Sequence, residues 1–297
     1  MTKVIETSDL VKSFGATRAL DGFDLSVEEG TVHGFLGPNG SGKSTAIRIL
    51  LGMIRSDAGS ARVMGLDPWR DSRAIHRRVA YVPGEVNLWP NLTGGEVLDL
   101  LGGLRGGFDE GRRRELCELF ELDLRGKGGS YSRGNRQKVA LVAALSVDAD
   151  LYVFDEPTAG LDPLKEVAFQ QCVRQVRERG GTVLLSSHIL AQVEQLADDL
   201  TIISQGRALE SGSLSEMKRI ARSRVEATVS SDPSGLDLMP GVHDVEIDGP
   251  RICCSVDQDR LDELLRWLLE RNVTDLITRP PTLEDLFLSE YRSDADR

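Results

Sequence analysis

Val32-His33-Gly34-Phe35-Leu36-Gly37-Pro38-Asn39-Gly40-Ser41-Gly42-Lys43-Ser44-Thr45-Ala46-Ile47-Arg48-Ile49-Leu50-Leu51 decides how this chain is read. The run Val32 to Leu36 predicts a buried strand, Ala46 to Leu51 predicts a helix, and the nine residues between them are rich in glycine. Glycines let a backbone curl around an anion with no Cβ in the way. The unpaired N–H groups at the start of the helix then point at that anion. Lys43 is suited to reach β- and γ-phosphates, and the Ser44 hydroxyl to ligand Mg²⁺. Gly37, Pro38, Asn39, Gly40, Ser41, Gly42, Lys43, Ser44 and Thr45 are therefore a candidate cradle for a nucleoside triphosphate. The competing reading, a glycine turn that binds nothing, does not account for the strand before it and the helix after it.

Composition narrows what the cradle serves. A length of 297 residues allows about two domains. The balance of 36 basic against 47 acidic residues, a net charge of −11, argues against nucleic acid as the main partner. No apolar run approaches the ~18 residues that span a bilayer, and the opening residues do not read as a signal peptide. The expectation is a chain that meets any membrane from the water side. Cys117, Cys172, Cys253 and Cys254 show no zinc spacing, and the adjacent pair reads as opposite faces of one strand, so a reducing cytosol is expected.

Before the cradle, Val4 to Leu10 and Gly22 to Val27 read as short strands, with Phe14 between them as a candidate ring to stack on adenine. After it come a strand at Ala61 to Met64, a helix at Arg70 to Arg78 and a buried strand at Val79 to Val82. Residues ~86 to ~147 read as a helical insertion. Thr93 and Glu96 form a capping box there, and the Arg112-Arg113-Arg114 run reads as a solvated face.

Tyr131-Ser132-Arg133-Gly134-Asn135 then opens a further helix, a second place where a hydroxyl and a glycine meet a helix N-terminus. The apolar run Leu151 to Phe154 delivers Asp155 and Glu156 to a strand end, where open parallel sheets bind ligands. Asp155 is suited to hold Mg²⁺ through water, and Glu156 to orient or deprotonate an attacking water. A last buried strand, Thr182 to Leu185, leads to His188, while His33, His76 and His243 read as structural or surface residues. Helices are expected at Leu164 to Arg179 and Leu190 to Ala197. From about Ser213 the pattern becomes half-exposed strands and one helix with a leucine stripe, ending in a capped helix from Thr282 to about Tyr291.

With the glycine cradle, Ser132 to Asn135, Asp155-Glu156-Pro157-Thr158, Gly160-Leu161-Asp162 and His188 in this order, the chain resembles the ATP-binding subunit of ABC transporters. The resemblance covers residues ~1 to ~214. Val82 to Thr93 and Pro281 to Phe287 look like the daunorubicin/tetronasin-resistance type of antibiotic exporter, whose ATPase is a separate polypeptide. This resemblance implies a P-loop (RecA-like) α/β ATPase core with an antiparallel β subdomain and a helical insertion. That core would occupy residues 1–214, and a small C-terminal α+β accessory domain residues 215–297.

ATP and Mg²⁺ are the implied cofactors. The implied assembly is a head-to-tail dimer of two copies, or of one copy with a paralogous ATPase, on a separate membrane permease. Its place is cytoplasmic, peripheral on the inner face of a bacterial plasma membrane. Ser132 and Gly134 would then contact the γ-phosphate of the other copy, Asp162 would span the dimer interface, Glu156 would be the base and His188 would position phosphate and water. Phe14 would take the place of the adenine-stacking aromatic. Two departures stand out: Gly84 occupies the place of a usual Gln, with Glu85 as a substitute Mg²⁺ ligand, and Arg133 and Asn135 alter the usual signature. The alternatives are a soluble ABC ATPase acting on a macromolecule and a weakly hydrolysing regulatory subunit.

Overall fold

The computed structural model describes residues 2–220 and 222–279. The chain forms two compact units, residues 1–211 and 212–297. In the first, β1 (Lys3–Phe14) and β2 (Thr17–Glu28) precede β3 (Val32–Leu36) and α1 (Lys43–Leu50). Then come β4 (Ala58–Val63), α2 (Ser72–His76) and β5 (Val79–Val82), followed by α3 (Gly94–Arg105), α4 (Glu110–Leu119) and α5 (Arg133–Leu145). The unit closes with β6 (Leu151–Asp155), α6 (Pro163–Glu178), β7 (Thr182–Ser187), α7 (Leu190–Glu194), β8 (Asp199–Ser204) and β9 (Arg207–Ser213).

Two sheets share this unit. A three-stranded antiparallel sheet runs β2-β1-β4, and a six-stranded sheet runs β5-β6-β7-β3-β8-β9, with β5 through β8 parallel in that order. Strands buried on both faces send alternate residues to opposite cores. Tyr152 and Phe154 of β6 join Val183 and Leu185 against α5 and α6, while Leu151 and Val153 join Leu184 and Phe35 against α1 and the small sheet. This is the RecA-like α/β core with an antiparallel β subdomain, and α3 to α5 are the helical insertion between β5 and β6.

Several expectations are corrected. The first two strands are each twelve residues long, because β1 and β2 pair as one continuous hairpin with Phe14 beside its turn. The helix expected from Arg70 to Arg78 is only Ser72–His76, since the backbone N–H groups of Trp69 and Arg70 are held by the Asp67 carboxylate. Likewise α7 stops at Glu194 rather than Ala197. The Arg112–Arg114 run is not simply a solvated face. Arg112 donates to Gln175 on α6, and Arg113 pairs with Asp99 at 2.7 Å and donates to the Gly95 carbonyl on α3. The capping box of α3 is formed as expected, with Thr93 accepting from the Glu96 N–H and Glu96 accepting from the Thr93 N–H.

The second unit contains α8 (Leu214–Ile220), β10 (Ser223–Val229), β11 (Val242–Asp248), β12 (Arg251–Val256), α9 (Leu261–Glu270) and β13 (Val273–Arg279). Its sheet runs β11-β12-β10-β13, and Val225, Ala227, Ile252 and Cys254 pack with Leu264 and Leu268 of α9 in a core of their own. The last helix expected, from Thr282 to about Tyr291, and the motif Pro281 to Phe287 lie outside the described residues.

Candidate nucleotide and hydrolysis site

The site is built by register. Parallel pairing sets Asp155 beside Ser186 and Leu36 beside Ser187, so β6, β7 and β3 end at one level. Three chain segments leave those ends side by side: the glycine loop after Leu36, Glu156 after Asp155, and His188 after Ser187. The Gly37 N–H donates to the Ser187 carbonyl at 3.3 Å and ties the first to the third.

Within the loop, Gly40 and Gly42 have φ of 81° and 112°. Gly42 is also crowded, for a Cβ there would lie 2.9 Å from Leu20 Cδ2 and against the Ala19 carbonyl, so only glycine fits. Ala19 and Leu20 belong to β2, so the hairpin carrying Phe14 is anchored against the loop. Phe14 itself is half exposed, with the Lys12 ammonium 5.5 Å from its ring centre. No side chain caps the N-terminus of α1, and its first amides face the loop.

Lys43 Nζ donates to the carbonyls of Gly37 at 2.6 Å and Pro38 at 3.0 Å and lies 3.8 Å from Glu156 Oε1. His188 Nδ1 lies 3.3 Å from the same oxygen. Burial holds the Lys43 pKa below its usual value, and the charges of Glu156 and then Asp155 oppose that shift. Glu156 has φ 47°, a left-handed backbone that a side chain rarely adopts. Its N–H is held by Ser186 Oγ at 3.1 Å and the Ser186 carbonyl at 3.2 Å. Ser186 Oγ in turn donates to Asp155 Oδ1 at 2.5 Å. Sequence reasoning missed Ser186. The available signal was a hydroxyl in an otherwise apolar buried strand, which must find a partner.

Behind this cluster the Gln192 Oε1 accepts from Thr158 Oγ1 at 3.1 Å and Ser187 Oγ at 3.2 Å, linking the segments that follow β6 and β7. A Cβ on Gly84 would lie 3.6 Å from the Asp155 carboxylate, so Gly84 borders Asp155. The structure does not bring Glu85 into the cluster: it is exposed, and its carboxylate forms no hydrogen bond or ion pair among the described residues.

Among the described residues Ser132 and Gly134 make no hydrogen bond to the cluster. Ser132 caps α5 by accepting from the Asn135 N–H at 3.2 Å, and Gly134 packs so tightly on Gly160 that a Cβ would meet the Gly160 carbonyl. The Arg133 stem lies along Gly160. Asp162 caps α6, accepting from the Lys165 N–H at 3.0 Å. His33, expected to be structural, is buried between β3 and β8, bonded through Nε2 to Thr201 at 2.8 Å.

No helix among the described residues is long and apolar enough to cross a membrane. The ABC transporter family model matches residues 20–159, and an AAA-domain model (putative AbiEii toxin, Type IV TA system) matches residues 129–193. The chain is 36% identical to the daunorubicin resistance ATP-binding protein DrrA2 of Streptomyces coeruleorubidus, over 96% of this chain and 94% of that one. It is 41% identical to the daunorubicin/doxorubicin resistance ATP-binding protein DrrA of Streptomyces peucetius, over 75% and 69%. It is 34% identical to the Nod factor export ATP-binding protein I of Rhizobium sp. (strain N33), over 97% of both. Among solved structures, the ATP-binding subunit of an ABC transporter superposes with a TM-score of 0.67 at 31% identity, over 73% of this chain and 92% of that one. The glycine loop on β3, the carboxylates on β6 and the histidine after β7 thus stand in a chain that belongs to the ATP-binding subunits of ABC transporters.

Proposed function

We propose that this chain hydrolyses ATP and couples the hydrolysis to export of a drug, antibiotic or lipid-like molecule through a separate membrane permease. One observation carries the reading: Lys43 and His188 converge on a single oxygen of Glu156, at 3.8 and 3.3 Å, at the mouth of the glycine loop. Had Lys43 and Glu156 faced separate cavities, no hydrolysis site could have been built from them. The export reading is supported by the similarity to resistance and export proteins along nearly the whole chain.

In this reading the loop amides and Lys43 hold the β- and γ-phosphates. Glu156 takes the proton of the attacking water, and His188 orients water and γ-phosphate. Ser44 and Asp155 would hold Mg²⁺, which when bound neutralises charge on the phosphates. Their fit rests on a hydroxyl at the start of α1 and a buried carboxylate whose Oδ1 is fixed by Ser186. Phe14 lies against the adenine, and Ser132 and Gly134 meet the γ-phosphate of a second copy across an interface that Asp162 helps to form. The chain works as a dimer on the inner membrane face.

Glu156→Gln keeps the shape of the site and removes the base. Phosphate release should fall at least about a hundredfold while labelled ATP still binds and the dimer becomes more populated in size-exclusion chromatography. Turnover like that of the unaltered protein would sink the role of Glu156. Lys43→Ala, by contrast, should lose ATP binding itself.

A further inference from the structure

Glu156 and His188 stand on separate chain segments, one leaving β6 and the other leaving β7, yet they meet at 3.3 Å. Little within the second segment fixes it. α7 spans only Leu190–Glu194, and no side chain caps its N-terminus. Around His188 there is one local turn, in which the Ile189 N–H donates to Ser187 Oγ at 2.9 Å. Beyond the end of β7, the placement of the histidine therefore depends on bonds to other elements.

Gln192 supplies them. Its Oε1 accepts from Thr158 Oγ1 at 3.1 Å. It also lies 3.2 Å from Ser187 Oγ, whose proton it shares with the Ile189 carbonyl at the same distance. Thr158 is two residues past Glu156, in a turn closed by two backbone bonds. The Ala159 N–H donates to the Glu156 carbonyl at 3.2 Å, and the Leu161 N–H to the Thr158 carbonyl at 3.0 Å. Ser187 directly precedes His188. One amide oxygen thus joins the turn behind the base to the residue before the histidine.

Chemistry fixes which way that amide faces. An ionised carboxylate only accepts hydrogen bonds, so Glu166 Oε2, 3.5 Å from Gln192 Nε2, requires the NH₂ on its side. The oxygen is left for the two hydroxyls. Glu166 belongs to α6, and one turn further on Gln170 Nε2 donates to Gln195 Oε1 at 2.7 Å. Two side-chain bonds therefore hold the α7 segment against α6, whose N-terminus Asp162 caps. The side-chain bonds of Gln192 run to Thr158, Ser187 and Glu166, none of which belongs to the glycine loop.

We infer that Gln192 is a positioning residue for hydrolysis, which holds Glu156 and His188 at their mutual distance by joining the segments that carry them. The role rests on hydrolysis at Glu156 as proposed. Steady-state phosphate release by the full chain with Mg²⁺ and ATP tests it. Gln192→Met keeps the side-chain length but offers no oxygen. Its kcat should fall about tenfold or more, with KM for ATP within about twofold of that of the unaltered protein. Gln192→Glu/Glu166→Gln exchanges the two groups and again turns an oxygen to both hydroxyls. It should recover kcat to within about threefold. Thr158→Val removes the other end of the link, should also lower kcat, and should add nothing to the loss in Gln192→Met.

Should Gln192→Met fail to fold by circular dichroism, Thr158→Val alone carries the test through the same split of kcat from KM. An unchanged kcat, a raised KM with kcat intact, or an exchanged pair as slow as Gln192→Met would overturn the positioning role and leave Glu156 as the base. Losses that multiply between Thr158→Val and Gln192→Met would overturn it too. Absence of phosphate release from the unaltered protein would instead overturn the hydrolysis reading, and this role with it.

Discussion

Replacing Ser186 by alanine removes one oxygen and should disturb both carboxylates of the candidate site, Asp155 and Glu156, at once. Ser186 is fully buried; its hydroxyl donates to Asp155 Oδ1 at 2.5 Å and accepts from the Glu156 N–H at 3.1 Å. A hydrogen bond to a charged group contributes about 1.5–3 kcal/mol, and Asp155, only 4% exposed, has little water to replace it. Glu156 also sits at φ 47°, a conformation costing roughly 1–3 kcal/mol that its neighbours must impose. After the change its N–H keeps the Ser186 carbonyl at 3.2 Å, so the backbone bend is weakened rather than lost.

Ser186→Ala should therefore lose about 2 kcal/mol of stability in urea unfolding. The maximal rate of phosphate release should drop roughly tenfold to a hundredfold, since each tenfold corresponds to about 1.4 kcal/mol. Because the hydroxyl acts through Asp155, the Mg²⁺ concentration for half-maximal rate should rise, a change that a purely structural role would not produce. Ser186→Thr keeps the hydroxyl and should restore most of the rate. A destabilised alanine variant with unchanged Mg²⁺ dependence and unchanged maximal rate would refute this positioning role.

Acid sensitivity should trace in part to His33. Burial lowers its pKa from 6.5 to about 4, so the folded state binds fewer protons than the unfolded one between those values. Its contribution is fully present above pH 6.5 and is lost as pH falls towards 4, about 3 kcal/mol in all at ~1.4 kcal/mol per unit. His33→Gln does not titrate, and its unfolding free energy should fall less between pH 7.5 and 5; an identical fall would assign the acid sensitivity to other groups. Glycines offer a paired test. Gly134→Ala forces a Cβ against the Gly160 carbonyl and should cost about 1–3 kcal/mol, whereas Gly103→Ala meets nothing within 4 Å and should stabilise α3 by roughly 0.5–1 kcal/mol. Equal melting temperatures for the two variants would contradict the tight packing of Gly134.

Much of the site was legible because its motifs are local. A glycine loop between a strand and a helix, or two carboxylates ending an apolar run, state their conformation within a few residues. The capping box at Thr93 and Glu96 and the leucine stripe of α9 were legible for the same reason. Where a sequence signal was only compositional, neighbours overruled it. The arginines at 112 and 113 look solvated in sequence, yet α3 and α6 supply Asp99, Gly95 and Gln175 to receive them.

By itself, then, the sequence determined that a phosphate cradle, a carboxylate pair and a histidine occur in a fixed order, since short-range geometry and periodicity write those features directly into the chain. Only the tertiary structure decided that they meet. β6 and β3 lie on either side of β7, and their common level follows from parallel register that joins Asp155 to Ser186 and Leu36 to Ser187, residues far apart in the chain. It also decided that Ser186 holds Asp155 and that Gly84 rather than Glu85 borders that carboxylate. Strand order, register and the destination of a backbone hydrogen bond are set by contacts between distant segments, and no local window of sequence contains them.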